Sequence, residues 1–241
     1  MNNLLKNNKI YCVADIHGCL DKLDSLLLKL DITPETTFVF TGDYVDRGPD
    51  SYGVIERLLQ LKHQCKCIFL AGNHDVTFFN DSRFKIDLPC STRYIMWDHG
   101  ARETYESYIN AGKDPSVHYK FYKMLQPYYI LEINNEKHLF VHGGYNRHLL
   151  IEDQKNSSAF WWDRDLLGSA IAHSKCISKE KYSFKNKDEF KYIYVGHTPI
   201  IHWGYNKPTL FENVWALDTG VGKYTDATLY ALEIITQTLI S

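Results

Sequence analysis

FVFTGDYVDRG, residues 38–48, runs three apolar residues straight into Asp43, Asp46 and Arg47, with a glycine at each end of the polar part. Gly, Asp and Asn are ordinary turn residues, so a strand followed by a polar turn accounts for the stretch taken alone. The rest of the chain changes that reading. Short β-type runs recur at KIYCV, TFVF, CIFL, KHLFV, YIYV and VWAL, and each stops abruptly at polar or glycine residues. After the first comes ADIHG, after the second TGDYVDRG, then AGNHD, HGG and GHT, so five strand exits carry a candidate metal ligand.

Helical patterns fill the intervals. CLDKLDSLLLKL spaces Leu20, Leu23, Leu27 and Leu30 by three and four, and SYGVIERLLQL does the same with Ile55, Leu58, Leu59 and Leu61. Residues 98–112 and 115–126 also read as helical, the second with Pro115 near its start. Strand and helix alternate first, then strands crowd the C-terminal third, which predicts an α/β chain with mixed sheets and helices outside. No repeat, low-complexity tract or Pro/Gly/Ser linker marks a boundary, so residues 1–241 are expected to form a single domain.

Composition excludes several classes of function. An apolar fraction of 44% and a charged fraction of 23% are those of a folded globular chain, not a disordered one. Lys and Arg number 27 against 29 Asp and Glu, so no net positive field draws the chain to nucleic acid or anionic lipid. The opening MNNLLKNNK lacks the apolar core of a signal peptide and no apolar run is long enough to span a membrane, so a cytoplasmic protein is expected. The six cysteines lack paired C-x-x-C spacing, and Cys65 and Cys67, on one side of a strand, read as packed thiols.

In open α/β sheets, ligands bind outside the carboxyl ends of the strands, where loops converge on a rigid support. Asp15 and His17 are one residue apart and can turn toward the same point; Asp43, Asn73, His142 and His197 each leave a different strand. Oxygen and imidazole donors without a thiolate suit Mn first, with Fe or Zn as alternatives, in an open site. Six donors exceed the needs of one cation, so two divalent ions are expected, roughly 3.5 to 4 Å apart, with Asp43 as the natural bridge. Gly18, Gly42, Gly48, Gly72, Gly143, Gly144 and Gly196 flank these positions, where a side chain would hinder a tight turn or close backbone approach.

In that order, ADIHG, GDYVDRG, GNHD, HGG and GHT resemble the signature of PPP-type metallophosphoesterases. That group comprises serine/threonine protein phosphatases, their bacterial and phage relatives, and symmetrical diadenosine tetraphosphate hydrolases. The match runs from Asp15 to His197, and WALDTG resembles the family's last strand. The resemblance implies a calcineurin-like sandwich of two mixed β-sheets flanked by helices. It places Asp15, His17 and Asp43 on one metal, and Asp43, Asn73, His142 and His197 on the other. The chain departs from the pattern at Ala14, where Gly is usual, and at Asp75, where protein phosphatases carry Glu.

Two bridged cations would activate a shared water for in-line attack on a phosphomonoester. Arg47 can then hold the phosphate oxygens through its planar fork, and the resemblance points to Arg164 of FWWDRD as a second clamp. His74, next to Asn73, is expected to protonate the leaving oxygen, with Asp46 holding its ring. The substrate is expected to be phosphoserine or phosphothreonine in a protein. The alternative is a dinucleoside polyphosphate or another small phosphoester, and a remote one is a non-catalytic binding scaffold. Aromatics of residues 76–139, among them Phe78, Phe79, Tyr94, Trp97, Tyr105, Tyr108, Tyr119 and Tyr122, are read mostly as core.

Overall fold

A computed structural model describes residues 9–82, 97–176 and 184–241. Cys90, Tyr94 and the start of the chain read for a leader lie outside the described residues. Three parallel strands, β1 (Ile10–Val13), β2 (Thr37–Phe40) and β3 (Lys66–Phe69), form the centre and one edge of the first sheet. Two antiparallel strands near the C-terminus, β9 (Ala231–Glu233) and β10 (Thr238–Ile240), complete it in the order β10-β9-β1-β2-β3. In the second sheet β5 (Glu136–Val141), β6 (Tyr192–Val195) and β8 (Val214–Ala216) are parallel. Antiparallel β4 (Tyr128–Ile133) and β7 (Thr209–Phe211) edge them, in the order β4-β5-β6-β8-β7.

Strand alternation explains why the two sheets stack. Ile10, Cys12, Val39 and Ile68 of the first sheet share one buried cluster with Phe140, Tyr194 and Trp215 of the second. The intervening residues Tyr11, Val13, Phe38, Phe40 and Phe69 point the other way, onto Leu23, Leu27, Val54 and Leu58. Those belong to α1 (Leu20–Leu27) and α2 (Ser51–Lys62), the two helices expected from their leucine spacing. Behind the second sheet, Leu139, Val141, Ile193 and Val195 pack against Leu166, Leu167 and Ile171 of a further helix, Asp165–Ser174. Every central strand is therefore buried on both faces, as its continuous apolar run requires.

Further helices are α3 (Asn73–Ser82), α4 (Arg102–Asn110), α5 (Tyr119–Lys123) and α6 (Ala159–Trp162), so Asp165–Ser174 is α7. Two helical expectations are corrected in detail. Residues 98–112 do not form one α-helix: a wide turn, Trp97–Ala101, precedes α4, broken by Gly100 at φ 102°. The Gly100 carbonyl accepts from Arg47 N–H at 3.1 Å, and a side chain there would press on the Arg47 backbone. Residues 115–126 begin as a 3₁₀ turn, Pro115–His118, capped by the Asp114 carboxylate on Ser116 N–H, before α5 follows.

Cys65 and Cys67 carry free thiols 3.9 Å apart in the apolar layer between the first sheet and its helices. Phe78, Tyr108 and Tyr122 are core, whereas Tyr119 is exposed. Among the described residues no helix is long and apolar enough to cross a membrane.

Candidate active site

The parallel strands deliver their exits to one place: β1 leads to Asp15 and His17, β2 to Asp43, Asp46 and Arg47, β3 to Asn73 and His74, β5 to His142 and β6 to His197. The loops there are strained. Asp15, His17, Asp43, Asp46, Arg47 and His197 all have positive φ, between 35° and 71°. Each non-glycine residue held there costs about 1 to 3 kcal/mol and persists only where its surroundings over-determine it. They do so here. Ile16 and His17 donate backbone N–H bonds to the Asp43 carbonyl at 3.0 and 2.9 Å, and Gly48 donates to the His17 carbonyl at 2.9 Å. The loops also approach so closely that a Cβ on Gly72 would collide with Asp43, and one on Gly196 with Asp15.

Within this frame the Asp43 carboxylate is central. Its Oδ2 lies 3.5 Å from His17 Nε2 and 3.4 Å from His142 Nε2. Both imidazoles are oriented from behind: His17 Nδ1–H donates to the Val45 carbonyl at 2.8 Å and His142 Nδ1–H to the Thr41 carbonyl at 2.9 Å. Each ring thereby presents an unprotonated Nε2 to the site, as a hydrogen bond from the other ring nitrogen sets a ligating histidine's tautomer. His142 Nε2 is 3.1 Å from Asn73 Oδ1, so two acceptors face one another. His197 Nε2 is buried with no hydrogen-bond partner among the described residues. Donor atoms of Asp43, His142 and His197 lie within 4.8 Å of one another, as do those of His17, Asp43 and His74. Converging lone pairs, an orphaned buried nitrogen and a carboxylate common to both groups fit a pair of divalent cations.

The electrostatics agree with that fit. Burial holds the pKa of His17 well below the ordinary value, with Arg47 adding to the effect, and burial beside His142 brings His197 down to about 2. These rings are neutral and available as ligands. Burial opposes ionisation of Asp43, but the charges that His142 and His74 carry when protonated outweigh it and set its pKa well below the usual range. Asp15 is placed differently. It lies outside both groups of converging donors, its two oxygens accepting the His197 backbone N–H at 3.2 and 2.9 Å. Burial, then the charges of Asp218 and Asp43, raise its pKa.

His74 Nδ1 meets Asp46 Oδ2 at 2.7 Å, with both side chains buried. Burial pulls the His74 pKa down, but the charge of Asp43 and the hydrogen bond and charge of Asp46 prevail and leave it raised. Arg47 spans the site, donating from Nη1 to His17 Nε2 at 2.6 Å and from Nη2 to His74 Nε2 at 2.9 Å. Arg164, at the start of α7, does not pair with Asp163 or Asp165. Its Nη1 donates to Thr198 Oγ1 at 2.9 Å and the His197 carbonyl at 3.4 Å, while Asp163 Oδ1 caps α7 by accepting from Leu166 N–H at 3.0 Å.

Three residues given no role in the site from the sequence shape it. Asp75 is fully buried and accepts backbone N–H bonds from Asp43, Tyr44 and Gly72 at 2.7, 2.9 and 2.9 Å, tying the β2 and β3 exits together. Burial and the Asp43 charge push its pKa up to about 7. Thr104 of α4 donates to Asp46 Oδ1 at 2.7 Å and accepts from Asp46 N–H at 2.8 Å. Asp218 of WALDTG is buried, one oxygen accepting from Gly220 N–H at 2.7 Å and the other without a hydrogen-bond partner among the described residues. Asp75 and Asp218 stand inside recognisable motifs; nothing in the sequence marks Thr104.

Residues 8–200 match the pattern of the calcineurin-like phosphoesterases. The asymmetrical bis(5'-nucleosyl)-tetraphosphatase PrpE of Oceanobacillus iheyensis is 28% identical over 228 residues, 88% of this chain and 84% of its own. The counterpart from Bacillus cereus strain AH187 is 25% identical over 239 residues, 92% of this chain and 91% of its own. Among solved structures, one provisionally named a diadenosine tetraphosphatase superposes with a TM-score of 0.60 at 16% identity, covering 96% of this chain and 91% of its own. A serine/threonine phosphatase of Saccharomyces cerevisiae reaches 0.59 at 18% identity, covering 100% and 81%. At those identities the superpositions establish the shared fold.

Proposed function

Because the chain belongs to the calcineurin-like phosphoesterase family, we propose that it hydrolyses dinucleoside polyphosphates, of which diadenosine tetraphosphate is the simplest test compound. The observation that carries the nucleotide reading is the likeness along most of both chains to bis(5'-nucleosyl)-tetraphosphatases. This reverses the order expected from the motifs, which put phosphoserine and phosphothreonine first. Asp75 supports the reversal, since protein phosphatases of the resembled group carry Glu in that place. The phosphoprotein reading is kept as the second. The full set of donors in ADIHG, GDYVDRG, GNHD, HGG and GHT argues against a non-catalytic scaffold.

In this reading Asp43, His17 and Asp15 serve one cation, and Asp43, Asn73, His142 and His197 the other; manganese is the first metal to try. Bound cations supply Lewis-acid charge on the phosphoryl oxygens and lower the pKa of a water to about 7. The chain's own groups do the rest. Arg47, in contact with His17 and His74, and Arg164, in contact with Thr198 and the His197 backbone, offer guanidinium forks suited to phosphate oxygens. His74, whose pKa its acidic neighbours raise, can take a proton on Nε2 once Arg47 turns from it to the phosphate, and pass that proton to the leaving oxygen while Asp46 fixes the ring through Nδ1. The strained loops hold these groups ready before substrate arrives. The interface shared by the two sheets supports treating residues 1–241 as one domain.

The deciding experiment compares kcat/KM of the manganese-loaded protein on diadenosine tetraphosphate and on a phosphoserine peptide. At least a tenfold preference for the nucleotide is expected. The opposite preference restores the phosphoprotein reading. Chromatography of the nucleotide products then distinguishes a triphosphate plus a monophosphate from two diphosphates.

A further inference from the structure

The large hydrophobic side chains left exposed include two aromatics among the described residues, Tyr119 and Trp162. Tyr119 packs against the Phe79 ring at 5.7 Å and lies under the Lys123 ammonium. Trp162 is half in solvent, at 51% exposure, and its indole stands perpendicular to the imidazole of His197 with ring centroids 6.0 Å apart. An indole left open beside a candidate metal ligand gives up apolar burial that a core position would have provided.

Its placement is rigid. The Phe160 carbonyl in α6 accepts a 2.7 Å bond from Gly143 N–H, tying the helix to the loop that carries His142. Phe160 itself is buried, and Asp163 caps the next helix. Two residues on, Arg164 reaches the same loop as the indole through Thr198 and the His197 carbonyl. A cation suited to phosphate and an open aromatic surface thus stand together on one wall of the site. A nucleotide carries both a phosphate and a base, and a base stacks on an aromatic face irrespective of its hydrogen-bonding edge.

We propose that Trp162 is the stacking platform for a nucleoside base of the substrate, and so sets the preference for nucleotides over other phosphoesters. The inference rests on the nucleotide reading given above. It predicts tolerance among bases, because stacking does not read the base edge.

The test measures kcat and KM for wild type, Trp162→Ala and Trp162→Phe, each loaded with manganese, on diadenosine tetraphosphate and on glycerol phosphate, which has no ring to stack. In Trp162→Ala, the ratio of kcat/KM on the nucleotide to that on glycerol phosphate should fall roughly 5- to 150-fold, mostly through KM. Trp162→Phe should recover most of that ratio. Calorimetric binding of AMP to metal-loaded protein should weaken by a similar factor in the alanine variant alone. Equal losses on both substrates, or an unchanged ratio, would overturn the inference and reduce Trp162 to support for His197. Wild type that hydrolyses glycerol phosphate and not the nucleotide would overturn the nucleotide reading, and this inference with it.

Discussion

His74 donates from Nδ1 to Asp46 at 2.7 Å, inside a site where both side chains are buried. Asp46 is in turn held at 2.7 Å by the hydroxyl of Thr104, 58 positions further along the chain, so the His74 ring orientation depends on α4 as well. A proton donor matters in proportion to how poor the leaving group is. His74→Asn should therefore lower kcat on an alkyl phosphate by about 10² to 10⁴ and on p-nitrophenyl phosphate or a phosphoanhydride far less. Asp46→Asn should show the same dependence at smaller size. Steady-state rates across leaving groups of graded pKa check this, and equal losses throughout would remove His74 from the acid role.

Asp75 spends both carboxylate oxygens on three backbone N–H groups of the loops that carry Asp43 and Asn73. In Asp75→Asn one oxygen becomes an NH₂, which faces donors and can accept nothing. At least one buried N–H is then left unpaired, a loss of about 1 to 3 kcal/mol. Because the two loops also shift relative to each other, manganese affinity should fall roughly 10- to 100-fold, as it does when groups that orient metal ligands are removed. Urea unfolding and metal titration measure the two effects separately. Unchanged metal affinity alongside lost stability would confine Asp75 to the fold.

Much of this architecture was legible because each central strand is a short apolar run that stops at a charged or glycine residue, as TFVF does at TGDYVDRG. What escaped the sequence has physical causes. β7 and β10 are three residues long, too short for alternation to register. β4 was hidden in an aromatic stretch, although Asn134 and Asn135, both at positive φ, make the two-residue turn that joins it to β5. In the site, local motifs exposed His17, Asp43 and His142, whereas the Thr104 bond to Asp46 and the Trp162 contact with His197 exist only once the chain is folded. The Asp15 carboxylate also accepts the His197 backbone N–H, a contact between the β1 and β6 exits that no local motif announces.

Two glycines should respond in opposite ways to alanine. Gly72 has no room, since an added Cβ would collide with the Asp43 backbone and carboxylate. Gly72→Ala should lose about 1 to 3 kcal/mol or more from overpacking, together with most metal binding. Gly168 lies inside α7 with nothing within 4 Å of the position a Cβ would take. Gly168→Ala should gain roughly 0.5 to 1 kcal/mol by restricting the unfolded chain and should leave activity unchanged. Thermal melts and metal content of both proteins test the contrast.

His118 supplies the pH prediction, because it is remote from the candidate ligands. It is buried between Glu56, at 2.7 Å from Nε2, and the Tyr108 hydroxyl, at 2.7 Å from Nδ1, with the Tyr52 ring 5.1 Å away. Burial lowers its pKa, and the neighbouring Glu56 offsets this only in part. The unfolded chain, with an ordinary histidine pKa of about 6.5, therefore takes up this proton more readily than the folded protein. The contribution of His118 is complete above that value and is lost as pH falls through it toward the folded pKa, at no more than about 1.4 kcal/mol per pH unit. His118→Gln keeps a polar group in the same space but cannot titrate. The acid-side decline in urea stability between about pH 7 and 5 should thus be shallower in the variant by up to that slope, and parallel curves for the two proteins would show that His118 does not govern it.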